Sequence, residues 1–212
     1  GLPAALEQVI FQIGITAFLI LVAYYGTEAY AAYGIGVQIL SFSFVIGFGF
    51  SIAGATLVGQ HLGAQNKDQA KRAGWGAMRL SIISMTFFGI VIVAFAEPLA
   101  RFMIDNDEVV RLTVIFIWLL GSMQPLMAIE FSLGGALRGA GDTKTPLVIT
   151  LTCLLFIRVF LAVIFFLLDA SIEIIFSTLL ADYIVKGFLY VSRFKSGRWM
   201  NVLKIKEVDQ QL

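Results

Sequence analysis

Long apolar runs separated by short polar connectors dominate the chain. Each run contains about 19–27 residues, and a helix of about 20 apolar residues crosses the hydrocarbon core of a bilayer. The pattern therefore predicts six transmembrane helices, with short connectors that make successive helices antiparallel neighbours. We expect a six-helix domain over 1–192 and a basic tail over 193–212. The predicted spans are approximately 3–25, 31–57, 75–96, 112–134, 146–168 and 172–190.

The composition agrees with this pattern and excludes several classes of protein. Of the 212 residues, 59% are hydrophobic and only 14% are charged, whereas soluble domains have about 45–50% apolar and about 25% charged residues. Cys153 and His61 are the only cysteine and histidine. A disulfide framework is therefore excluded, and a metal centre or a hydrolytic triad is not expected. We expect a membrane protein that is not an enzyme and has no catalytic residue, metal or cofactor.

Lys and Arg are distributed unevenly among the connectors. Twelve of the 15 follow the second and fourth runs or lie from Lys186 onward, whereas the other connectors carry only Arg101 and Arg111. Basic loops stay in the cytoplasm, so both chain ends are expected on the cytoplasmic side of the cell's inner or plasma membrane. The basic tail is then a topology signal or a contact for anionic headgroups, and no nucleic-acid partner is expected.

Signals for helix boundaries occur at the ends of the runs. Asn66 and Asp105 each have capping-box spacing ahead of the third and fourth helices. Thr145 before Pro146 suits an N-cap and a first helical residue for the fifth helix. Pro125 interrupts the hydrogen-bond ladder of the fourth run, so we expect a kink there.

Small residues recur at every fourth position in the second run, at Gly47, Ser51, Ala55 and Gly59. In lipid, such a stripe lets a neighbouring helix approach closely. This favours a packing role, and the alternative is a groove that lines a substrate path.

Two connectors resemble sequences from a known family. The segment 57–65, Leu-Val-Gly-Gln-His-Leu-Gly-Ala-Gln, resembles the loop after the eighth helix of multidrug and toxic compound extrusion (MATE) transporters. The segment 135–146, Gly-Ala-Leu-Arg-Gly-Ala-Gly-Asp-Thr-Lys-Thr-Pro, is similar to the same family's loop after the tenth helix. Shorter matches follow in the family's order, and the whole is most similar to the DinF-like branch. These matches lie at 1–8, 31–38, 157–158 and 196–199.

The resemblance implies an all-α membrane fold in which this chain is the C-terminal six-helix lobe of a twelve-helix, two-lobe transporter. That family exports amphipathic, often cationic compounds in exchange for protons or sodium. The implied partners are the N-terminal lobe of the same transporter or a second copy, the lipid bilayer and small organic cations, with H⁺ or Na⁺ as the coupling ion. The start at Gly1, with neither Met nor a basic segment, indicates a truncated or processed chain.

Ionisable side chains inside the runs indicate functional sites, because a charge at mid-bilayer costs about 2.5–3.5 kcal/mol on insertion scales. Arg158 lies near the bilayer centre, about 18 Å along the helix from Pro146. Asp182 precedes Lys186 by four residues, a spacing that lets side chains pair on one helix face. Arg158, Asp182 and Lys186 are therefore expected to form structural ion pairs.

Glu130 is the first candidate for cation coupling. It lies about 12 Å inward from Arg138 and shares a helix face with Gln124 and Met127. A carboxylate among apolar groups takes up a proton readily or binds a cation, which is the chemistry that coupling requires. The alternative is a pair with Arg158 that neutralises both charges, and both interpretations are open at this point.

Glu7 is the second candidate for coupling. The resemblance places coupling carboxylates on the seventh and tenth helices in some branches, and Glu7 and Glu130 lie on the matching helices. Both lie about one turn closer to the cytoplasm than those positions, which correspond to Phe11 and Met127 here. This shift favours protons over sodium as the coupling ion.

Polar side chains in the runs predict a hydrated cavity. Gln8, Gln12 and Thr16 form a stripe at every fourth residue of the first run. In the second run, Phe42 and Phe44 could offer a ring to a cationic drug, although lipid-facing or packed rings are favoured. The candidates for a substrate or polar cavity are Gln8, Gln12, Gln38, Gln124 and Met127.

Three hypotheses for the function remain. The first is half of a multidrug antiporter that exports amphipathic, cationic compounds in exchange for protons or sodium. The second is a lipid or metabolite flippase of the same superfamily. The third is a membrane scaffold or fragment that transports nothing.

Overall fold

A computed structural model describes residues 2–202, without the side chains of residues 2–4 and 7. In this range the chain is helical throughout and has no strand, which confirms the all-α prediction. The helices are α1 (Leu2–Ala23), α2 (Thr27–Gly63), α3 (Lys67–Ala94), α4 (Ala96–Met103), α5 (Asp107–Ser122), α6 (Gln124–Gly139), α7 (Lys144–Thr152), α8 (Phe160–Leu167) and α9 (Ile172–Lys195), with a π-helical segment (Cys153–Val159) between α7 and α8 and a 3-10 turn (Arg198–Asn201) after α9.

The six predicted spans correspond to helical segments of the described chain. Helices α2, α3 and α9 are each long and apolar enough to cross a membrane, as is the continuous stretch Lys144–Leu167. Helices α5 and α6 qualify together as one bent span, and α1 is apolar over Gln8–Ala23. The short helix α4 lies in a connector and was not predicted. It is amphipathic, with buried Ala96 and Ala100 on one side and Phe102 91% exposed on the other.

The predicted kink is present between α5 and α6. The two helices are bent by 53° at Met123, and Pro125 lies in the first turn of α6. Proline has no amide hydrogen and clashes with the preceding turn, so one straight helix cannot pass through this point. The kink is thus a direct consequence of the sequence.

Helix α6 lies inside the bundle, against α2, α3 and α9. Its glycines let the backbones of α2 and α6 touch, because a Cβ on Gly135 would overlap the backbone of Ser51 and one on Gly139 would overlap that of Ala55. On the α2 side, a Cβ on Gly59 would lie 3.1 Å from the carbonyl oxygen of Gly139. The packing interpretation of the small-residue stripe is therefore confirmed.

The connector between α6 and α7 ties three helices together. Gly141 has a left-handed φ of 83°, and the amide of Asp142 donates to the carbonyl of Leu137, as in a Schellman helix end. The Asp142 carboxylate accepts hydrogen bonds from the amide and hydroxyl of Thr145 and from Arg193 of α9. Asp142 therefore caps α7, and the prediction that Thr145 is the N-cap was wrong.

The other two predicted caps had different outcomes. Asn66 accepts a hydrogen bond from the amide of Gln69, as the capping-box spacing predicted. At the next helix start, Asn106 and not Asp105 is the cap, and it accepts from the amide of Val109. The competing side chain one residue away has the same acceptor chemistry, so the sequence alone did not separate the two.

The C-terminal part of α9 continues beyond the predicted span and into the predicted tail. Gly197 turns the chain with a φ of 68°, and the buried Trp199 stacks on Phe194 with ring centroids 4.6 Å apart. The indole of Trp199 also donates to the carbonyl of Phe194. Residues 193–202 are thus part of the folded bundle, whereas residues 203–212 lie outside the described residues.

The positions of the charged side chains change the count of basic residues on the two sides of the bundle. Arg101 and Arg111, on the side with few basic residues, form ion pairs with Glu97, Asp107, Glu108 and Glu173. Lys186 was counted with the opposite side, but its side chain is buried in the bundle. Removing it from the count leaves eleven basic residues against two, which favours the same orientation.

Replacing Gly135 with Ala should destabilise the bundle, because the new methyl group would meet the backbone of α2. Overpacking of this kind costs about 1–3 kcal/mol. We expect a lower melting temperature for Gly135→Ala in detergent, measured by thermal unfolding. The matched control is Gly49→Ala, whose Cβ would enter open space, and this variant should be as stable as the parent or more so. Equal melting temperatures for the two variants would contradict the packing.

Candidate functional site

A cavity of about 360 Å³ opens between α1, α2, the α5–α6 pair, α7 with the π-helical segment, and α9. Aromatic and apolar side chains form most of its wall, and Glu130, Arg138 and Arg158 are the charged residues in it. The wall is therefore suited to an amphipathic molecule, with apolar surface for its body and charge for its polar end. The aromatic residues are Phe11, Tyr33, Phe44, Phe48, Phe116, Phe131, Tyr183 and Tyr190.

Four charged side chains form a cluster at the cavity wall, and we call Glu130, Arg158, Asp182 and Lys186 the charge cluster. Arg158 Nη2 lies 3.0 Å from Asp182 Oδ2, and Lys186 Nζ lies 3.2 Å from the same oxygen. Lys186 Nζ also lies 3.4 Å from Glu130 Oε1. Two cations and two carboxylates alternate in space, so the cluster is neutral when all four groups are ionised.

Helix geometry brings the cluster together. Asp182 and Lys186 are one turn apart on α9, and Glu130 reaches them from α6. Arg158 comes from the π-helical segment Cys153–Val159, in which each turn contains an extra residue and side chains are displaced around the helix axis. Single-turn π-helical segments occur frequently at functional sites, where they redirect a side chain.

Burial differs sharply within the cluster. The Asp182 side chain is fully buried and that of Lys186 is 1% exposed, whereas Glu130 is 20% exposed. Within the described part of the chain, the two Asp182 carboxylate oxygens and the Lys186 ammonium have no hydrogen bond of good geometry. Asp182 and Lys186 are therefore held by ion contacts and not by directional hydrogen bonds. Charge neutrality, more than hydrogen bonding, therefore keeps the buried groups ionised.

Tyr183 lies over the cluster from the cavity side. Its ring centroid is 5.3 Å from Lys186 Nζ and 5.7 Å from the guanidinium carbon of Arg158. An aromatic face stabilises a cation at such distances. Arg158 and Glu130 line the cavity together with this ring, whereas Lys186 is not among the described residues of the wall.

A family model and several known proteins are similar to this chain. The MatE family model matches residues 3–164, which is most of the sequence. The chain belongs to the MATE family. A probable multidrug resistance protein NorM of Thermotoga maritima is 35% identical over 208 residues, which cover 94% of this chain and 43% of that protein. A NorM of Mesorhizobium japonicum is 32% identical over 70% of this chain.

Solved MATE structures share the fold. The MATE transporter ClbM in complex with Rb⁺ superposes with a TM-score of 0.87 over 95% of this chain and 48% of ClbM, at 19% identity. The MATE transporter VcmN of Vibrio cholerae superposes with a TM-score of 0.84 over 94% of this chain and 46% of VcmN, at 21% identity. The chain thus spans less than half the length of these MATE proteins.

Membership of the MATE family confirms several expectations from the sequence. The family consists of membrane transporters, so the predictions of a membrane protein that is not an enzyme are confirmed. The six-helix MATE-like fold is also confirmed. The relatives carry the name NorM, and the DinF-like branch stays a prediction.

The MATE fold brings together only some of the predicted cavity residues. Gln8 and Glu130 line the cavity. Gln12 and Gln38 are exposed on the outside of α1 and α2, away from the cavity wall. Gln124 and Met127 are buried behind the wall, and no described group satisfies the Gln124 amide. Gln12, Gln38, Gln124 and Met127 thus do not line this cavity, and their assignment to a substrate or polar cavity stays a prediction.

The remaining predicted residues have distinct outcomes. The side chain of Glu7 lies outside the described residues, so its coupling role stays a prediction. Glu130 was weighed as a partner of Arg158, but in this chain it contacts Lys186. Asp182 and Lys186 are in contact, as their spacing predicted, and Arg158 joins them. Of the two phenylalanines considered, Phe44 lines the cavity and Phe42 is 74% exposed.

The sequence contained a signal for the cavity wall that was missed. Leu179, Tyr183, Lys186 and Tyr190 recur at intervals of three or four residues along α9 and form one face. A face that mixes a lysine with tyrosines inside an apolar helix indicates a polar interior surface. The π-helical segment had no comparable signal, because no glycine or proline lies within Cys153–Val159.

Replacing Asp182 with Asn should destabilise the protein strongly, because two buried cations would then share one carboxylate. Removing one partner of a buried ion pair costs about 3–5 kcal/mol. The double variant Asp182→Asn/Arg158→Met restores a neutral cluster, so its melting temperature should exceed that of Asp182→Asn. Thermal unfolding in detergent measures both.

The control for this comparison is Glu97→Gln on α4, because Glu97 forms an exposed pair with Arg101. Exposed pairs contribute at most about 1 kcal/mol, and the melting temperature of Glu97→Gln should stay close to that of the parent. A double variant no more stable than Asp182→Asn would show that charge balance does not govern the cluster.

Proposed function

We propose that this chain is half of a secondary multidrug antiporter that exports amphipathic, cationic compounds in exchange for protons. Its relatives in Thermotoga maritima and Mesorhizobium japonicum are named as probable multidrug resistance proteins, which supports this proposal. The cavity wall contains aromatic faces and the Glu130 carboxylate, both of which attract organic cations, beside the guanidinium groups of Arg138 and Arg158.

The placement of Glu130 carries the proposal. Among the described residues it is the carboxylate that lines the cavity, and it also contacts the buried charge cluster. A proton or a substrate cation that arrives from the cavity would therefore change the charge balance of buried groups. Such a change is the physical requirement for coupling two transported species at one site.

Protons are favoured over sodium as the coupling ion. Na⁺ prefers several oxygen ligands, whereas the groups around Glu130 in the described structure are a lysine, an arginine further on, and aromatic rings. A proton, in contrast, needs only one carboxylate oxygen.

A second six-helix lobe is the proposed partner. Gln12 and Gln38 are exposed on helices whose other exposed residues are mostly apolar. A glutamine side chain that faces lipid is costly, whereas one at a helix–helix interface finds hydrogen-bond partners. We therefore place these residues opposite the N-terminal lobe of the same transporter or a second copy of this lobe.

The proposed location is the cytoplasmic membrane of a bacterial cell, with both ends of this lobe in the cytoplasm. The eleven basic residues counted on that side, against two on the other, support this orientation.

Replacing Glu130 with Gln in the complete transporter should abolish proton-driven export, because an amide neither takes up a proton nor balances Lys186. Ethidium efflux from proteoliposomes with an imposed pH gradient measures this activity. We expect the efflux rate to fall by at least about a hundredfold, which corresponds to a loss of about 2.7 kcal/mol.

The matched control is Asp68→Asn, which makes the same chemical change at an exposed position near the start of α3. It should leave efflux unchanged. Gradient-driven efflux at the parental rate in Glu130→Gln would remove Glu130 from the coupling mechanism.

A further inference from the structure

The Lys186 ammonium lies between two carboxylates that differ in their surroundings. Asp182 is fully buried and has a second cation, Arg158, at 3.0 Å. Glu130 is 20% exposed, lines the cavity and lies slightly further from the ammonium, at 3.4 Å against 3.2 Å. A cation that enters the cavity can therefore reach Glu130 but cannot reach Asp182.

The contact between Lys186 and Glu130 can be exchanged without movement of a helix. Among the described residues, no hydrogen bond of good geometry anchors the ammonium, so it is held by charge alone. If Lys186 leaves Glu130, it keeps its contact with Asp182, one turn away on the same helix, and shares that carboxylate with Arg158. A lysine side chain has a flexible stem of four carbons, so its ammonium group can move over such a distance while the helix backbone stays in place.

The charged and titratable groups that face Lys186 come from three elements. Among the described residues these are Glu130 from α6, Asp182 and Tyr183 from α9, and Arg158 and Cys153 from the π-helical segment. With four ionised groups the sum is zero, so a further cation at Glu130 enters a neutral cluster that already contains a competing ammonium.

We propose that Lys186 is a built-in competitor for the substrate, whose ammonium occupies the Glu130 carboxylate when the cavity is empty and is displaced from it by an organic monovalent cation. This proposal rests on the proposed function, because it assumes that the cavity receives cationic compounds. Lys186 then sets the affinity of the site. It occupies the Glu130 carboxylate between transport events, and it weakens the binding of each cation by the free energy needed to separate one ion contact.

Three rings beside Glu130 receive the apolar part of the cation. Phe131 follows Glu130 in the sequence, and its ring lies 5.0 Å from that of Phe48 and 6.3 Å from that of Phe44. All three line the cavity. A quaternary or aromatic cation can therefore keep its charge near the carboxylate and its apolar surface on the rings.

Equilibrium binding of tetraphenylphosphonium to the complete, purified transporter tests the proposal. This probe has a fixed positive charge, so its own protonation does not contribute. Lys186→Met leaves the cluster with one excess negative charge, and we expect the dissociation constant to fall on the order of tenfold, within the usual range of coupling between two ligands. Lys186→Arg keeps the charge and should bind with an affinity close to that of the parent.

A double variant identifies the carboxylate involved. In Lys186→Met/Glu130→Gln the cluster is neutral again, so the gain in affinity should disappear. Unchanged or weaker tetraphenylphosphonium binding by Lys186→Met would overturn the proposal. So would a gain that persists in the double variant, or a gain for Na⁺, measured by NaCl competition, without one for tetraphenylphosphonium.

Two further measurements separate this mechanism from misfolding and from a failure of the proposed function. Triphenylphosphine oxide is a neutral aromatic probe and should bind equally to all variants, whereas a misfolded cavity would lose both probes. Lys186→Gln makes the same charge change with a polar side chain and should reproduce the gain. Binding requires no gradient, so the binding result does not depend on the efflux experiment. If Glu130→Gln still drives efflux, that outcome refutes proton coupling but not the competition between Lys186 and the substrate.

Discussion

The buried carboxylate of Asp182 determines how the interior of this bundle is arranged. It lies between Arg158 and Lys186, and both cations depend on it because the apolar interior offers no water to solvate them. Two cations on one carboxylate leave an excess positive charge, which Glu130 of α6 balances. Charge neutrality in a medium of low dielectric constant therefore fixes the mutual positions of α6, α9 and the π-helical segment, and it places one carboxylate at the cavity.

The π-helical segment is the backbone adjustment that makes this arrangement possible. It allows Arg158 to face α9 although the residues around it face lipid or α1. One turn earlier in the same segment, Leu154 occupies space at Gly14 of α1 where a Cβ would overlap its side chain. The segment thus contributes to two contacts, one with α9 and one with α1.

The sequence predicts the features of this structure that follow from the membrane environment and from local backbone chemistry. Apolar runs, the Pro125 kink and the small-residue stripe of α2 follow from membrane thickness, missing backbone donors and close helix packing, and these features are local. The partner of Glu130 is not local, because α6 and α9 are separated by two helices and any of three cations could reach it. Cavity membership is also non-local. Gln12 has the same chemistry as Gln8 and lies one turn further along the same face of α1, yet of the two only Gln8 lines the cavity.

A neutral cluster with one accessible carboxylate has a consequence for stoichiometry under the proposed function. Glu130 can be balanced by Lys186, by a proton or by a substrate cation, and each of these supplies one positive charge. Lys186 stays in the cluster in every state, so a proton or a substrate cation adds one positive charge, and both together would add two in a medium where each uncompensated charge costs several kcal/mol. Proton and substrate would then exclude each other at Glu130, which is the condition for antiport. A monovalent cation and one proton would exchange one for one, so the exchange at this site would move no net charge.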